Sequence, residues 1–286
     1  MRKFIFIFSL LLLCSCEKLA LDEVNTNNSG NVVLKFSATQ NDNITRGVVD
    51  ISEAFEKLNV MVFDTSGEKV FDKVKTQSVD DDEFGTMMIN LAEGTYTLIA
   101  VGHSSDKTST IKLDKVSFTA SNGKKISDTF YYYGTIVVSE EMEVYNIEMK
   151  RNVGMFRLQL TDETINSAVA KFKLDYSGGS ADFNPQTGLG VTNSNQSEIR
   201  ELNEDKIFDI YTFPKASTSK LKITVSALDA NENIIKKRVF TDVPVSANKI
   251  TLFKGNFFDG TEGAIIQSSV TITVNTDWLE TKEYDF

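Results

Sequence analysis

The sequence is poor in the residues that most often build stabilising cross-links and reactive sites. Its 286 residues include 2 Cys, 1 His, 1 Trp and 3 Pro. Two cysteines exclude a disulfide scaffold. A single His without a dense Cys/His cluster removes most metal and nucleophile–His schemes, so no metal, cofactor or catalytic residue is expected. After the first residues no run approaches 18 consecutive apolar positions, which leaves no candidate membrane-spanning helix. The 16 Gly show no collagen period, and cations are outnumbered, 30 Lys and Arg against 40 Asp and Glu, for a net charge of −10. Such a chain repels phosphate backbones, and nucleic acid is not an expected partner. What remains is an ordinary globular composition, 41% hydrophobic and 24% charged, with length for one or two domains.

The first sixteen residues bear on the compartment. Met1, Arg2 and Lys3 make a positive start, and Phe4 to Leu13 form an apolar run, broken only by Ser9, too short to span a bilayer. This pattern predicts a signal peptide over residues 1–15. Leu13-Cys14-Ser15-Cys16 places a Leu three before, and a small Ser one before, a cysteine. The arrangement resembles a bacterial lipobox, which would make Cys16 the lipidated first residue of the mature chain; Cys14, preceded by bulky Leu13, is the poorer acceptor. The alternative is a plain signal peptide with two incidental cysteines. In the lipidated form the lipid is the only membrane attachment, no intramolecular disulfide can form, and the polar, aperiodic residues 16–30 make a tether.

From Asn31 onward the sequence breaks into short alternating runs rich in Val, Ile, Thr, Phe and Tyr. Strands are expected near Val32–Ser37, Leu58–Asp64, Lys69–Val74, Thr86–Leu91, Thr95–Val101, Thr110–Phe118, Tyr131–Val138 and Val144–Lys150. A second series is expected near Val153–Leu160, Ala170–Tyr176, Lys206–Thr212, Lys220–Ala227, Ile234–Phe240, Lys249–Phe257 and Ser268–Val274. Only Ser52–Phe55 and Asp162–Ala168 suggest short helical turns. The expected class is all-β, built of sandwiches. An internal echo suggests two: Leu58–Val62 aligns with Leu221–Val225, and Ile89–Leu98 with Val243–Leu252, with Gly94 on Asn248, two residues that tolerate the positive φ of a tight turn. The division is then 31–151 for the first β-sandwich and 152–286 for the second, with a terminal strand and tail.

Several stretches taken in order carry a family resemblance. They are the lipobox, Leu91-Ala92-Glu93-Gly94-Thr95-Tyr96-Thr97-Leu98, Asp128-Thr129-Phe130-Tyr131-Tyr132-Tyr133-Gly134-Thr135, Lys150-Arg151-Asn152-Val153-Gly154-Met155-Phe156-Arg157-Leu158 and Asn248-Lys249-Ile250-Thr251-Leu252. Together they resemble the fimbrillin superfamily of Bacteroidales, the pilins and anchor proteins of type V pili. The resemblance implies two tandem transthyretin-like β-sandwiches in a structural or anchor subunit of a fimbrium. It would sit on the cell outer membrane, with other fimbrial subunits as partners. It also implies cleavage in the polar loop Asn41-Asp42-Asn43-Ile44-Thr45-Arg46-Gly47, between Arg46 and Gly47, releasing a first strand whose Val32, Leu34 and Phe36 alternate. A neighbour's extended segment would then fill the slot. Arg46 is otherwise an exposed loop cation. Val270, Ile272 and Val274 are the candidate donor, or else belong to the last strand of their own domain; Gly260 and Gly263 precede them.

Other features admit functional and plain structural explanations. Trp278 is either an interface anchor or packs on its own domain. Tyr131, Tyr132 and Tyr133 must alternate in a strand, so at most two can share a face as a glycan platform, the alternative function being a surface glycan-binding lipoprotein. Asp80-Asp81-Asp82-Glu83 lacks a spaced cation-binding loop and reads as a solvated turn. His103 has no nucleophile partner at a recognisable spacing. A secreted hydrolase is the weakest alternative, since no acid/base pair is recognisable.

Overall fold

A computed structural model describes residues 31–39, 48–49, 51–106, 109–118, 126–259, 265–266, 270–273 and 280–286. The first half runs β1 (Val32–Thr39), β2 (Val48–Val49), the one-turn helix α1 (Ile51–Ala54), β3 (Lys57–Phe63), β4 (Lys75–Ser78), β5 (Thr86–Ile89), β6 (Gly94–His103), β7 (Thr110–Ile111), β8 (Val116–Ser117), β9 (Thr129–Val138) and β10 (Glu143–Arg151). The second half runs β11 (Gly154–Leu160), β12 (Lys171–Gly179), β13 (Asp182–Phe183), β14 (Ser194–Glu201), β15 (Ile207–Thr212), β16 (Ser219–Leu228), β17 (Ile234–Val245), β18 (Lys249–Gly255), β19 (Ile265–Ile266), β20 (Val270–Thr273) and β21 (Glu280–Asp285). The chain is all-β, as its alternation predicts.

In each half two layers close on an apolar core. In the first, β1, β5 and β10 with the short β2 face β3, β4, β6 and β9; the layers join only at a corner, where Lys150 pairs with Tyr131 and Arg151 with Phe130. Between them lie Val32, Leu34 and Phe36 of β1, Leu58, Val60 and Val62 of β3, Leu98 and Ala100 of β6, and Ile147 and Met149 of β10. In the second, the sheet β15-β11-β18-β21-β20 faces β14-β12-β16-β17-β19 around Phe156, Phe172, Phe208, Ile223, Phe240 and Phe253. Strand β16 shows the cause: Leu221, Ile223, Val225 and Ala227 are buried, while the intervening Lys220 and Lys222 are exposed.

The pairings repeat strand for strand. The first strand of each half runs parallel to the seventh large strand, β1 with β10 and β11 with β18, and antiparallel to the fourth, β5 or β15. The other layer orders β4-β3-β6-β9 in one half and β14-β12-β16-β17 in the other. The repeat therefore exists, but in a different register from the sequence echo. The segment Leu58–Val62 lies in β3, whose counterpart is β12, whereas Leu221–Val225 lies in β16, the counterpart of β6. Central sandwich strands share the same apolar alternation, so an alignment slides from one to another without penalty. Gly94 and Asn248 do have positive φ, 154° and 55°, yet neither turn makes a hairpin: β5 and β6 lie in opposite layers, as do β17 and β18.

A third core joins the halves. Leu98 and Ala100 of β6 face the first core while Ile99 and Val101, from the other face of the strand, meet Met155, Phe183, Phe213 and Ile250. Burial on both faces explains why β6 reads as a continuous apolar run. Strand β8 extends the contact by pairing with β13 across the halves.

Some expected elements differ. No strand spans Lys69–Val74: after a turn closed by Gly67 N–H to the Asp64 carbonyl (3.0 Å), only the isolated bridge Phe63–Lys69 forms, and the strand paired to β3 is the polar β4. Phe71 and Val74 pack as single side chains against the cores instead. Asp162–Ala168 forms no helix; the Asp162 carboxylate accepts the N–H groups of Phe257 and Phe258 at 2.6 and 3.0 Å. Strand β14 falls in a stretch expected to be loop, because Ile199 is its only large apolar residue. Strand β21 likewise falls in the acidic tail, where Tyr284 is its only large apolar residue.

Candidate assembly site

The first strand occupies a slot between two others. Strand β1 pairs parallel with β10 from Val32 opposite Glu143 to Thr39 opposite Lys150, and antiparallel with β5 from Val32 opposite Ile89 to Lys35 opposite Thr86. Val32 and Leu34 are fully buried, and Phe36 is 8% exposed. Lys35 points to solvent. The three residues expected to alternate inward do so, joined by Ala38. Burying a Val, Leu or Phe side chain is worth roughly 1.5–3 kcal/mol. Their sum is comparable to the whole stability of a typical domain, so an empty slot would leave the first core open.

Polar contacts fix the register of β1. The Asn31 side-chain amide donates to the Leu91 carbonyl at 2.7 Å and accepts the Leu91 N–H at 2.9 Å, while its backbone carbonyl accepts the Glu143 N–H at 2.9 Å. Farther along, Phe36 N–H donates to the Gly85 carbonyl at 2.8 Å. Gly85 has φ +91°, and a Cβ there would stand 2.5 Å from Ile51 Cδ1, so this close approach of α1 requires glycine.

The remaining expected site residues fall in two groups. Cys16, Arg46 and Gly47, together with Val274, Trp278, Gly260 and Gly263, lie outside the described residues. Val270 and Ile272 lie in β20, opposite Tyr284 and Lys282 of β21. The tyrosines divide by face: Tyr132 packs on the first core, Tyr131 and Tyr133 on the third. The Asp80–Glu83 turn is exposed, and among the described residues no three His, Cys, Asp or Glu side chains come together as metal ligands.

His103 is fully buried at the end of β6. Its Nδ1 accepts the Ser105 N–H at 3.1 Å, so Nε2–H donates to Asn59 Oδ1 at 3.2 Å. Burial and the nearby Lys57 charge lower its pKa to about 4. It holds the loop after β6 through Asn59, which also accepts from the Ser109 backbone N–H at 2.8 Å. That is a structural role.

The junction holds residues whose role the sequence did not disclose. Arg151 makes a bidentate pair with Asp128, both distances 2.8 Å, lies over the Phe130 ring and donates to Asn248 Oδ1 of the second half at 3.0 Å. Burial raises the Asp128 pKa against the pull of Arg151. Asn152 donates to the Gly188 carbonyl at 3.3 Å. The one sequence signal was that Asp128, Arg151, Asn152 and Asn248 are polar residues set inside otherwise apolar motif stretches.

Among the solved structures that resemble the chain at low identity are two fimbrial proteins. The fimbrial anchor protein Mfa2 from Porphyromonas gingivalis is 11% identical with a TM-score of 0.43, over 74% of this chain and 81% of that one. A fimbrial assembly protein from Parabacteroides distasonis is 10% identical with a TM-score of 0.42, over 79% and 90%. No curated protein matches the sequence. The profile described as "Fimbrillin-A associated anchor proteins Mfa1 and Mfa2" matches residues 20–284, nearly the whole of the chain, which therefore belongs to this family of fimbrial anchor proteins.

Proposed function

We propose that this fimbrial protein is exported as a lipoprotein, held at the outer membrane through Cys16, and joined to other fimbrial subunits by strand complementation. It works as an anchor or structural subunit and performs no catalysis. The two halves, 31–151 and 152–286, are its domains. The observation that carries the mechanism is the seating of β1: an apolar strand close to the N-terminus, buried between β10 and β5. A cut after Arg46 separates β1 from everything that follows it. The slot then offers two strand edges and the pockets of Val32, Leu34 and Phe36 to a neighbour's extended segment. Left uncut, the chain keeps its lipid and its own strand, as an anchor does. The donor this chain offers is the segment of Val270, Ile272 and Val274, which must leave β21 to act.

The test is the intact mass and N-terminal sequence of the protein recovered from the cell surface. A diacylated or triacylated chain beginning at Cys16 supports the anchor role. A lipid-free chain beginning at Gly47 supports a polymerising subunit, and Arg46→Ala should then abolish its high-mass ladder. An unlipidated chain that starts elsewhere overturns the proposal.

A further inference from the structure

The repeated halves differ at one edge. In the second half, β18 is covered on the side away from β11 by β21, parallel from Lys249 opposite Glu280 to Lys254 opposite Asp285. The covering strand lays Tyr284 flat on Phe253, centroids 4.6 Å apart at 19°, and brings Glu283 to 4.0 Å from Lys254. The counterpart edge in the first half belongs to β10. Among the described residues it carries no strand beyond the corner pairs at Lys150 and Arg151.

This edge has the features of a pairing surface. Glu143 N–H bonds Asn31 on the β1 side, so strand alternation turns the backbone groups of Val144 and Asn146 to the open side. Across the gap, the Tyr145 hydroxyl accepts the Val137 N–H at 3.0 Å and donates to the Val137 carbonyl at 2.5 Å, bridging β9 and β10 with one side chain. A cavity of about 240 Å³ opens where the strands part, lined by Tyr133, Glu148 and Lys150 among others. Toward the turn end of the same hairpin, Val137, Met142 and Val144 are 59%, 62% and 53% exposed, apolar surface that an unpaired edge does not need for its own fold.

We infer that the open edge of β10 receives an extended segment of a partner protein that alternates apolar residues with Lys or Arg. The second half shows the geometry of such a cover, and charge selects the occupant. Strand β21, with Glu280, Glu283 and Asp285 against Lys282, is net acidic and suits β18, which carries Lys249 and Lys254. Strand β10 and its hairpin carry Glu140, Glu141, Glu143 and Glu148 against Lys150 and Arg151, and Arg151 is already paired with Asp128. A second copy's β21 would meet like charge there, and a basic strand meets opposite charge. The site is separate from the β1 slot and stays available while β1 is seated.

The experiment uses the full chain and three labelled peptides: residues 280–286, the same peptide with its acidic residues replaced by lysine, and a scramble of the basic peptide. The basic peptide should bind about tenfold more tightly than either of the others. Asn146→Pro removes an outward N–H and should weaken it by about tenfold. Glu143→Lys with Glu148→Lys should reverse the preference between the acidic and basic peptides. Binding of the scramble as tight as the ordered basic peptide, no binding of the basic peptide up to about 1 mM, or self-association that the acidic peptide competes away would each overturn the inference.

Discussion

Two buried polar groups set the molecule's response to pH and to truncation at the residue scale. His103 has a folded pKa near 4 against 6.5 for the free side chain, so its neutral form is the one the fold stabilises. Above pH 6.5 that stabilisation is complete; as pH falls from 6.5 toward 4 the unfolded chain takes up a proton the folded chain refuses, and stability declines. The loss approaches about 3 kcal/mol. Because the chain has 1 His, a single imidazole resonance reports the titration, and denaturant midpoints across this window should fall less in His103→Gln than in the native protein. A midpoint slope identical in the two proteins would refute the assignment. Arg151 supplies the second case. Removing it leaves the partly buried Asp128 without its cation, so Arg151→Met should cost up to about 3 kcal/mol, and Asp128→Asn added to it should restore part of the loss, because a neutral amide needs no counter-charge. Thermal unfolding of the single and double variants measures this directly.

Strand β1 is the piece of the fold on which the proposed assembly turns at the scale of elements. Leu34 is fully buried between the layers, so Leu34→Ala should destabilise the uncut chain by about 2–5 kcal/mol, whereas the exposed Lys35→Ala should change stability by less than about 0.5 kcal/mol. Chemical denaturation distinguishes them, and equal effects would mean that β1 is not seated as described. The strand was legible because Val32, Leu34 and Phe36 alternate inward with Lys35 outward, although Val33 between them is also buried, at 8% exposed. Strand β16 was legible for the same reason, and β3 and β6 as short, nearly continuous apolar runs buried on both faces. Strands β4 and β14 were not, since each is a polar edge whose place is set by backbone pairing and by single contacts. In β14 the only buried position is Glu198, which accepts a hydrogen bond from Tyr176 at 2.7 Å. Alternation alone also could not say which layer a strand joins, and that is why the internal repeat was found with its strands out of register. The apolar stretch Lys69–Val74 misled for the converse reason: its Phe71 and Val74 are drawn into cores as side chains, and the backbone forms no ladder.

On the scale of the whole molecule, the third core decides whether the two sandwiches behave as one body. Interfaces between domains of one chain are commonly polar and permit relative motion. This one is apolar, with eight buried side chains from the first half, including Met61, Phe63 and Phe118, and six from the second, including Met155, Phe183 and Phe213. Phe118 and Phe213 stack at 5.7 Å, and Phe183 meets Phe213 at 4.8 Å. The β8 to β13 pairing and the Arg151 to Asn248 hydrogen bond cross the same boundary. A shared apolar core of this kind leaves no hinge between the halves. The halves should therefore unfold together. Calorimetry of the native protein should give one transition whose van't Hoff and calorimetric enthalpies agree. Phe213→Ala removes the ring common to both stacks at a cost of about 3–5 kcal/mol, and because that loss falls on the boundary it should split the transition in two. Two transitions in the native protein, or a single one preserved in Phe213→Ala, would mean that the coupling lies elsewhere than in this core.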